Sequence, residues 1–589
     1  MASSTRCFGD AAAALLLCVF FLGSTTAGLF GPAQPADEYD YIVVGAGACG
    51  AVLATRLAER GQKILLLETG EDEHLNPLTR WGYFFPSGAY SHLYRNYFTE
   101  PEPHVNNRRL YHQAAKALGG GTAVNAMVWT WGDRKDWELI DLEGWSFEDV
   151  YPYFLKSENY TGGPSSFRHS LSRGHDGPIT LTSFVPNAAT TKAVETAAST
   201  FDVPVEVDNN GGQHESAAVV QRDFKGATID TGMRMGTFMA YLRPALASFP
   251  PEQMNVLTRA TVLKVLVGEV QMKEGGGTEL EALGVRYLHD GVCHEAFAKK
   301  EVLLAAGAYN SPKLLLLSGI GDKSHLDEVG IDCILDLPGV GKNLVDHINP
   351  GSLLFTGPPR KDYDANIVAA YTRTGVVGDL TPDVELGFIM GPPVEDPALW
   401  GSVPSLYVFY ALWLLHDGEG SVTLKNKDPL EDPIIVSGYL RTPTDLKRLV
   451  RIFRMLVEWA GEFSRKSGLR LEQQGSGGNA IMVTTKSTDE EILKAARTVL
   501  STHWHAAQSC RMGDASKDPA VVVDTKFKVV GIDKLRVIDA SSQPVLTNGH
   551  PMAALVMMAE RAVDFMLGGK EEVKGRVVER KKKEGRGKE

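Results

Sequence analysis

The sequence predicts an α/β fold, and three observations carry that prediction. Across residues 39–569 short β-branched runs alternate with helical stretches, and no internal repeat interrupts them; this is the pattern of a sheet layered with helices. Tyr39-Asp40-Tyr41-Ile42-Val43-Val44 reads as a buried strand that leads straight into Gly45-Ala46-Gly47-Ala48-Cys49-Gly50 and then a helical stretch over 51–60. A second apolar strand, Lys63-Ile64-Leu65-Leu66-Leu67, ends on Glu68, eighteen residues after Gly50. Strand, glycine turn, helix and strand with an acidic end make a Rossmann-like dinucleotide unit.

Each part of that unit has a physical task. Gly45 permits the tight turn, Gly47 lets backbone approach a pyrophosphate, and Gly50 allows close helix packing, with the anionic phosphates at the helix N-terminus. Glu68 stands where a carboxylate accepts hydrogen bonds from ribose hydroxyls. The fingerprint alone leaves open whether the dinucleotide carries a nicotinamide or a flavin.

Composition narrows the class. The chain has 589 residues, 43% hydrophobic and 22% charged, close to a soluble globular protein. A net charge of −12 argues against a nucleic-acid partner, because phosphate neutralisation needs a basic surface. The exception is residues 570–589, where nine Lys/Arg and five Asp/Glu read as a basic, disordered tail. Residues 1–27 read as a secretory signal peptide: Arg6, an apolar run over 11–22, then small residues ending at Ala27. That run is too short for a stable membrane span. The expected location is secreted or the secretory-pathway lumen, with a bipartite organelle leader as the other reading. One glycosylation tripeptide, Asn159-Tyr160-Thr161, fits that compartment. Six cysteines show no CxxC pair and no zinc-ligand spacing, so no metal site is expected, and pairing of Cys293 with Cys333 stays open. Breaks rich in Gly, Pro, Ser or Asn fall at 162–174, 209–212 and 357–383, the last being the expected domain junction.

Several longer motifs go further. Lys116 precedes Gly119-Gly120-Gly121-Thr122-Ala123-Val124-Asn125-Ala126-Met127-Val128, and residues 307–321 read GAYNSPKLLLLSGIG. Residues 337–344 read LPGVGKNL with Asp346-His347 following; further blocks are Gly420-Ser421-Val422-Thr423-Leu424, Asp428-Pro429 and residues 535–541. In this order over 39–567 they resemble the glucose-methanol-choline (GMC) family of flavoprotein oxidoreductases. Two departures stand in the first block: Gly-Gly-Gly-Thr where the family usually has Gly-Gly-Ser-Ser, and Ala115-Lys116 where it usually has Gly-Lys.

The resemblance implies FAD and a Rossmann-like FAD-binding domain interleaved with an α+β antiparallel-sheet substrate domain. It implies an N-terminal region over 39–350 with a substrate-domain insert at about 151–232, and a C-terminal region over 383–567. Carried over residue by residue, Gly45, Gly47, Gly50 and Glu68 hold the ADP half, and Val262 looks like the residue whose backbone meets adenine. Gly120, Thr122 and Asn125 lie in the segment passing the isoalloxazine, with the Thr122 hydroxyl able to bond the cofactor. Asp539 and Ala540 resemble the turn beside the pyrophosphate and ribityl chain.

The chemistry falls to the C-terminal blocks. Residues 503–513 read HWHAAQSCRMG, and counting five back from Cys510 lands on His505; His550 stands ten before Glu560. Oxidising an alcohol removes a proton from oxygen and a hydride from carbon. A histidine with its ordinary pKa of about 6.5 can take the proton while the flavin takes the hydride. His505 is therefore the expected general base and His550 the group that orients the alcohol; His503 is two residues off the spacing. Cys510 is expected to be a buried, inert thiol. The implied activity is FAD-dependent oxidation of an alcohol, with oxygen or another electron acceptor. A lyase of the hydroxynitrile type on the same fold, with a spectator flavin, is the alternative, because Trp504-His505 and His550-Pro551 look somewhat like its neighbourhoods. A photodecarboxylase branch carries a cysteine where this chain has Leu414. The aromatic run over 406–415 reads as core sheet.

Overall fold

The computed structural model describes residues 38–72, 92–162, 171–211, 213–225, 232–271, 278–363, 366–378, 380–391, 402–474 and 480–568. The expected leader over 1–27 and the basic tail over 570–589 lie outside the described residues.

The first apolar run forms the strand Glu38–Val44, paired in parallel with Ile64–Leu67 on one side and Val292–Leu304 on the other. Met254–Leu257 and Leu535–Val537 extend the parallel part. Strands covered on both faces need continuous apolar runs, and Ile42, Val43, Ile64 and Leu66 are fully buried. Ala260–Gln271 and Thr278–His289 continue the sheet antiparallel, ending in seven strands. Helix Ala48–Glu59 packs against helix Met552–Leu567. Where they meet, the fully buried Glu560 carboxylate accepts from Arg56 at 2.8 Å, Lys156 at 2.9 Å and Tyr241 at 2.9 Å. The buried charge is thus paired and hydrogen-bonded, the condition under which such burial is tolerated.

A second sheet of nine strands makes the other half. Its main path runs Glu472–Gln474, Ser352–Gly357, Ser405–Trp413, Val384–Gly391, Val368–Thr372, Ala217–Val219 and Val205–Glu206. Helices Ala188–Phe201 and Pro443–Ser467 cover one face. Alternate residues of Ser405–Trp413 point into that layer: Phe409 meets Phe388 and Trp459 with ring centroids 5.1 Å apart in each pair. Leu412 and Leu414 lie in a separate cluster with Val128 and Tyr371. The aromatic run is therefore core sheet.

The expected loop-like break over 357–383 holds a strand. The strand Val368–Thr372 lies inside it, buried at all five positions and paired between Val384–Gly391 and Ala217–Val219. Its Gly and Pro flanks mark turns on either side of one short strand, which composition alone cannot tell from a tether. The segment 151–232 gives two strands to the nine-stranded sheet. Its other three, Glu158–Tyr160, Ile179–Thr182 and Arg222–Lys225, build a four-stranded sheet with Met233–Arg234. Cys333 carries a free thiol, so it does not pair with Cys293. Within the nine-stranded sheet Ile348 pairs with both Trp413 and Thr502, and the segment that follows Thr502 carries His503 and His505.

Candidate active site

A cavity of about 390 Å³ is lined both by the glycine turn and by His503, His505 and His550. At the glycine end, Gly45 adopts φ +96°, and a Cβ there would lie 2.5 Å from the Ala305 carbonyl oxygen. Gly120 has φ +52°, and a Cβ on it would come within 2.6 Å of the Gly47 Cα. The helix Ala48–Glu59 starts from Gly47 with no side-chain cap, which leaves its first N–H groups for an anion. Gly50 sits in the first turn of that helix.

Glu68 is buried; one carboxylate oxygen accepts from the Ala46 N–H at 2.9 Å and the other from the Gly70 N–H at 2.8 Å. Burial pushes its pKa up, and these N–H groups oppose the rise. Glu68 lines the cavity, and a carboxylate can accept further hydrogen bonds, so a ribose hydroxyl can bond there. Val262 lines the same cavity from the strand Ala260–Gln271. Asp539 and Ala540 line it too. The Asp539 carboxylate turns inward, accepting from the Ser541 and Gly307 N–H groups at 2.8 Å each. It thus ties this turn to the start of helix Gly307–Leu317. Open helix N-terminus, Gly47 against Gly120 and a carboxylate at the second strand's end together fit FAD.

One expectation fails here. The Thr122 hydroxyl donates to the Gly119 carbonyl at 2.7 Å and accepts from the Thr237 N–H at 3.0 Å. It is buried and spent within the protein, so it locks the loop and is not a cofactor donor. Asn125 lines the cavity, its side-chain oxygen accepting from the Met127 N–H at 3.1 Å and from Arg234.

The histidine end is tighter than spacing suggests. The rings of His505 and His550 lie 5.0 Å apart, His503 and His505 5.1 Å, and His503 and His550 5.8 Å. His505 Nδ1 faces His347 Nδ1 at 2.9 Å, so one of the two donates. The segment is pinned from below by Asp346, buried, whose carboxylate accepts from the His505 N–H at 2.9 Å, the Tyr439 hydroxyl at 2.7 Å and the Thr502 hydroxyl. The His347 carbonyl accepts from the His503 N–H at 2.9 Å. His550 follows Gly549 and meets the wholly buried Glu385, with Nε2 and a carboxylate oxygen 3.3 Å apart.

The ordinary pKa expected for the base is corrected by burial. Desolvation pushes His505 well below its usual value, with His550, His347 and His503 adding repulsion. Burial likewise lowers His503 to about 3 and His347 well below normal. His503 and His505 are only half-buried by surface area, yet they sit deep and their open part faces the cavity. Burial raises Asp346 to about 6. Cys510 is a buried free thiol pushed well above its ordinary pKa, as expected of an inert group.

Sequence reasoning missed His347 and Glu385 as neighbours of the pair. Asp346-His347 stands in the sequence as part of a motif without a role, and Glu385 is one acidic residue in an apolar strand with no local signal.

Models of the GMC oxidoreductase family match residues 39–349 and 417–559. The chain is 32% identical to the mitochondrial choline dehydrogenase of Mus musculus over 573 residues, covering 90% of each chain. It is also 32% identical to an oxygen-dependent choline dehydrogenase of Staphylococcus aureus strain MSSA476 over 577 residues, covering 90% of this chain and 94% of that one. Among solved structures, pyridoxine 4-oxidase from Mesorbium loti superposes with a TM-score of 0.74 at 25% identity, covering 90% of this chain and 99% of the other. A fungal aryl-alcohol oxidase shares the fold with a TM-score of 0.71 at 21% identity, over 90% and 99% of the two chains.

Gly120→Ala places a methyl group against the Gly47 backbone at a positive φ. The variant is expected to purify folded but with visible flavin absorbance at least about tenfold below wild type, a loss of roughly 1.4 kcal/mol or more in binding. Wild-type flavin content in that variant would refute the close approach.

Proposed function

Because the chain belongs to the GMC oxidoreductase family, we propose that in its FAD-dependent oxidation of an alcohol His505 is the base and His550 the orienting group. The observation that carries this is the His505–His550 pair, rings 5.0 Å apart, on the wall of the cavity that begins at the glycine turn. Bound FAD supplies the hydride acceptor. The rest is work for side chains. A base needs a ring nitrogen with a free lone pair. With Nδ1 of His505 donating to His347, the other nitrogen has one and receives the alcohol proton. Burial keeps that nitrogen unprotonated at neutral pH. His550, held by Glu385, stands beside His505 on the cavity wall and orients the alcohol so that the carbinol hydrogen points at the flavin. Asp346 fixes the backbone of the base through its N–H.

The test is flavin reduction without oxygen across a panel of alcohols. Choline heads it because the mouse and staphylococcal relatives act on choline. The expected result is bleaching by at least one alcohol, slowed about 10²- to 10⁴-fold in His505→Ala with the flavin still bound. A variant that bleaches at the wild-type rate would remove His505 from the role. A flavin that stays oxidised while a cyanohydrin is cleaved would point to the lyase chemistry instead.

We also propose that the protein enters the secretory pathway. Support comes from the apolar run over 11–22 and the small residues that end at Ala27. The mature N-terminus is expected at about Gly28 by terminal sequencing; an N-terminus that retains the apolar run would contradict it.

A further inference from the structure

We propose that His503, His505 and His550 form a binding site for a divalent transition-metal ion of the zinc class, and that its occupancy shuts the active site. Each residue offers one ring nitrogen, and the three atoms all lie within 4.8 Å of one another. Tetrahedral zinc takes imidazole nitrogens at about 2.1 Å, which places pairs of ligand atoms roughly 3.4 Å apart. Small side-chain rotations close that difference, because the rings border an open cavity rather than packed core.

Two further observations support a ligand here. The Nδ1 atom of His503 is buried with no hydrogen-bond partner among the described residues, and buried polar atoms are rarely left so. His505 and His550 are also backed in the manner of metal-bound imidazoles, whose second nitrogen rests on another polar group. His347 stands behind His505 at 2.9 Å, and the Glu385 carboxylate stands behind His550 at 3.3 Å. An all-imidazole set favours zinc, copper or cobalt over magnesium or calcium, which prefer oxygen. Three protein ligands leave a fourth position open toward the cavity, for water.

The consequence rests on the reading of His505 as base. A metal ion on its free nitrogen takes the lone pair that must receive the alcohol proton. Zinc therefore inhibits, competing with the alcohol, and a chelator reverses it. Sequence spacing could not reveal the site: His503 and His505 sit two apart, and His550 arrives from another segment forty-five residues on.

The test uses the FAD-loaded enzyme after chelator treatment and removal of the chelator. Calorimetric titration with zinc chloride is expected to show one equivalent bound. That binding is expected to weaken at least about tenfold in His503→Gln and in His550→Gln, with flavin absorbance in each variant reporting that the fold is kept. Cobalt in the wild-type enzyme provides a readout that needs no variant: a tetrahedral absorption spectrum is expected at wavelengths beyond the flavin bands. No stoichiometric zinc, an octahedral cobalt spectrum, or undiminished binding in both variants would overturn the site. Failure here leaves flavin reduction by alcohol in the metal-free enzyme untouched. Failure of the functional reading would instead appear as metal-free enzyme that no alcohol reduces.

Discussion

Desolvation of imidazole governs the active site, because four histidines, His347, His503, His505 and His550, converge at one end of the cavity. A proton on any of the first three would be a buried charge beside other imidazoles, and burial disfavours it. His347, His503 and His505 therefore offer lone pairs rather than cations. Neutral imidazole is the form that both a general base and a metal ligand require. The same constraint explains the backing groups. A neutral ring has one donor and one acceptor, and its orientation matters, so His347 and Glu385 hold His505 and His550 from behind.

The two-sheet architecture serves this arrangement. The parallel sheet places the glycine turn, Glu68 and the Asp539 turn along one side of the cavity. The nine-stranded sheet carries Glu385 in Val384–Gly391 and supports the 501–505 segment through Ile348. Asp346 pins the base: its carboxylate binds the His505 N–H and the Tyr439 and Thr502 hydroxyls together. Its removal would leave several buried donors without acceptors, which costs more than the loss of one bond. The base is thus held by hydrogen bonds, although residues 503–506 form neither helix nor strand.

Local signals made the dinucleotide half legible. The strand, the turn at Gly45, Gly47 and Gly50, and Glu68 are contiguous, and each has a task that only certain residues perform. His505 and His550 were legible through motif spacing. What the sequence hid depends on distant contacts. Glu385 becomes a partner of His550 only when the strand Val384–Gly391 packs beneath it. Thr122 looked like a cofactor ligand because a hydroxyl stood in the right loop, but Thr237, more than a hundred residues on, occupies it. The depressed pKa of His505 likewise follows from burial that no spacing records. The strand Val368–Thr372 lay hidden in an expected loop-like break because its flanks are rich in turn residues.

The protonation state of His505 tests the central claim most directly. Nitrogen NMR of ¹⁵N-histidine-labelled, FAD-loaded enzyme, assigned by comparison with His505→Gln, would follow the ring as acid is added. Burial predicts that His505 stays neutral as pH falls through about 6.5, the ordinary histidine pKa. Full protonation of His505 near that pH would contradict the account, since the base would then be exposed to solvent in its effect even while buried in its geometry.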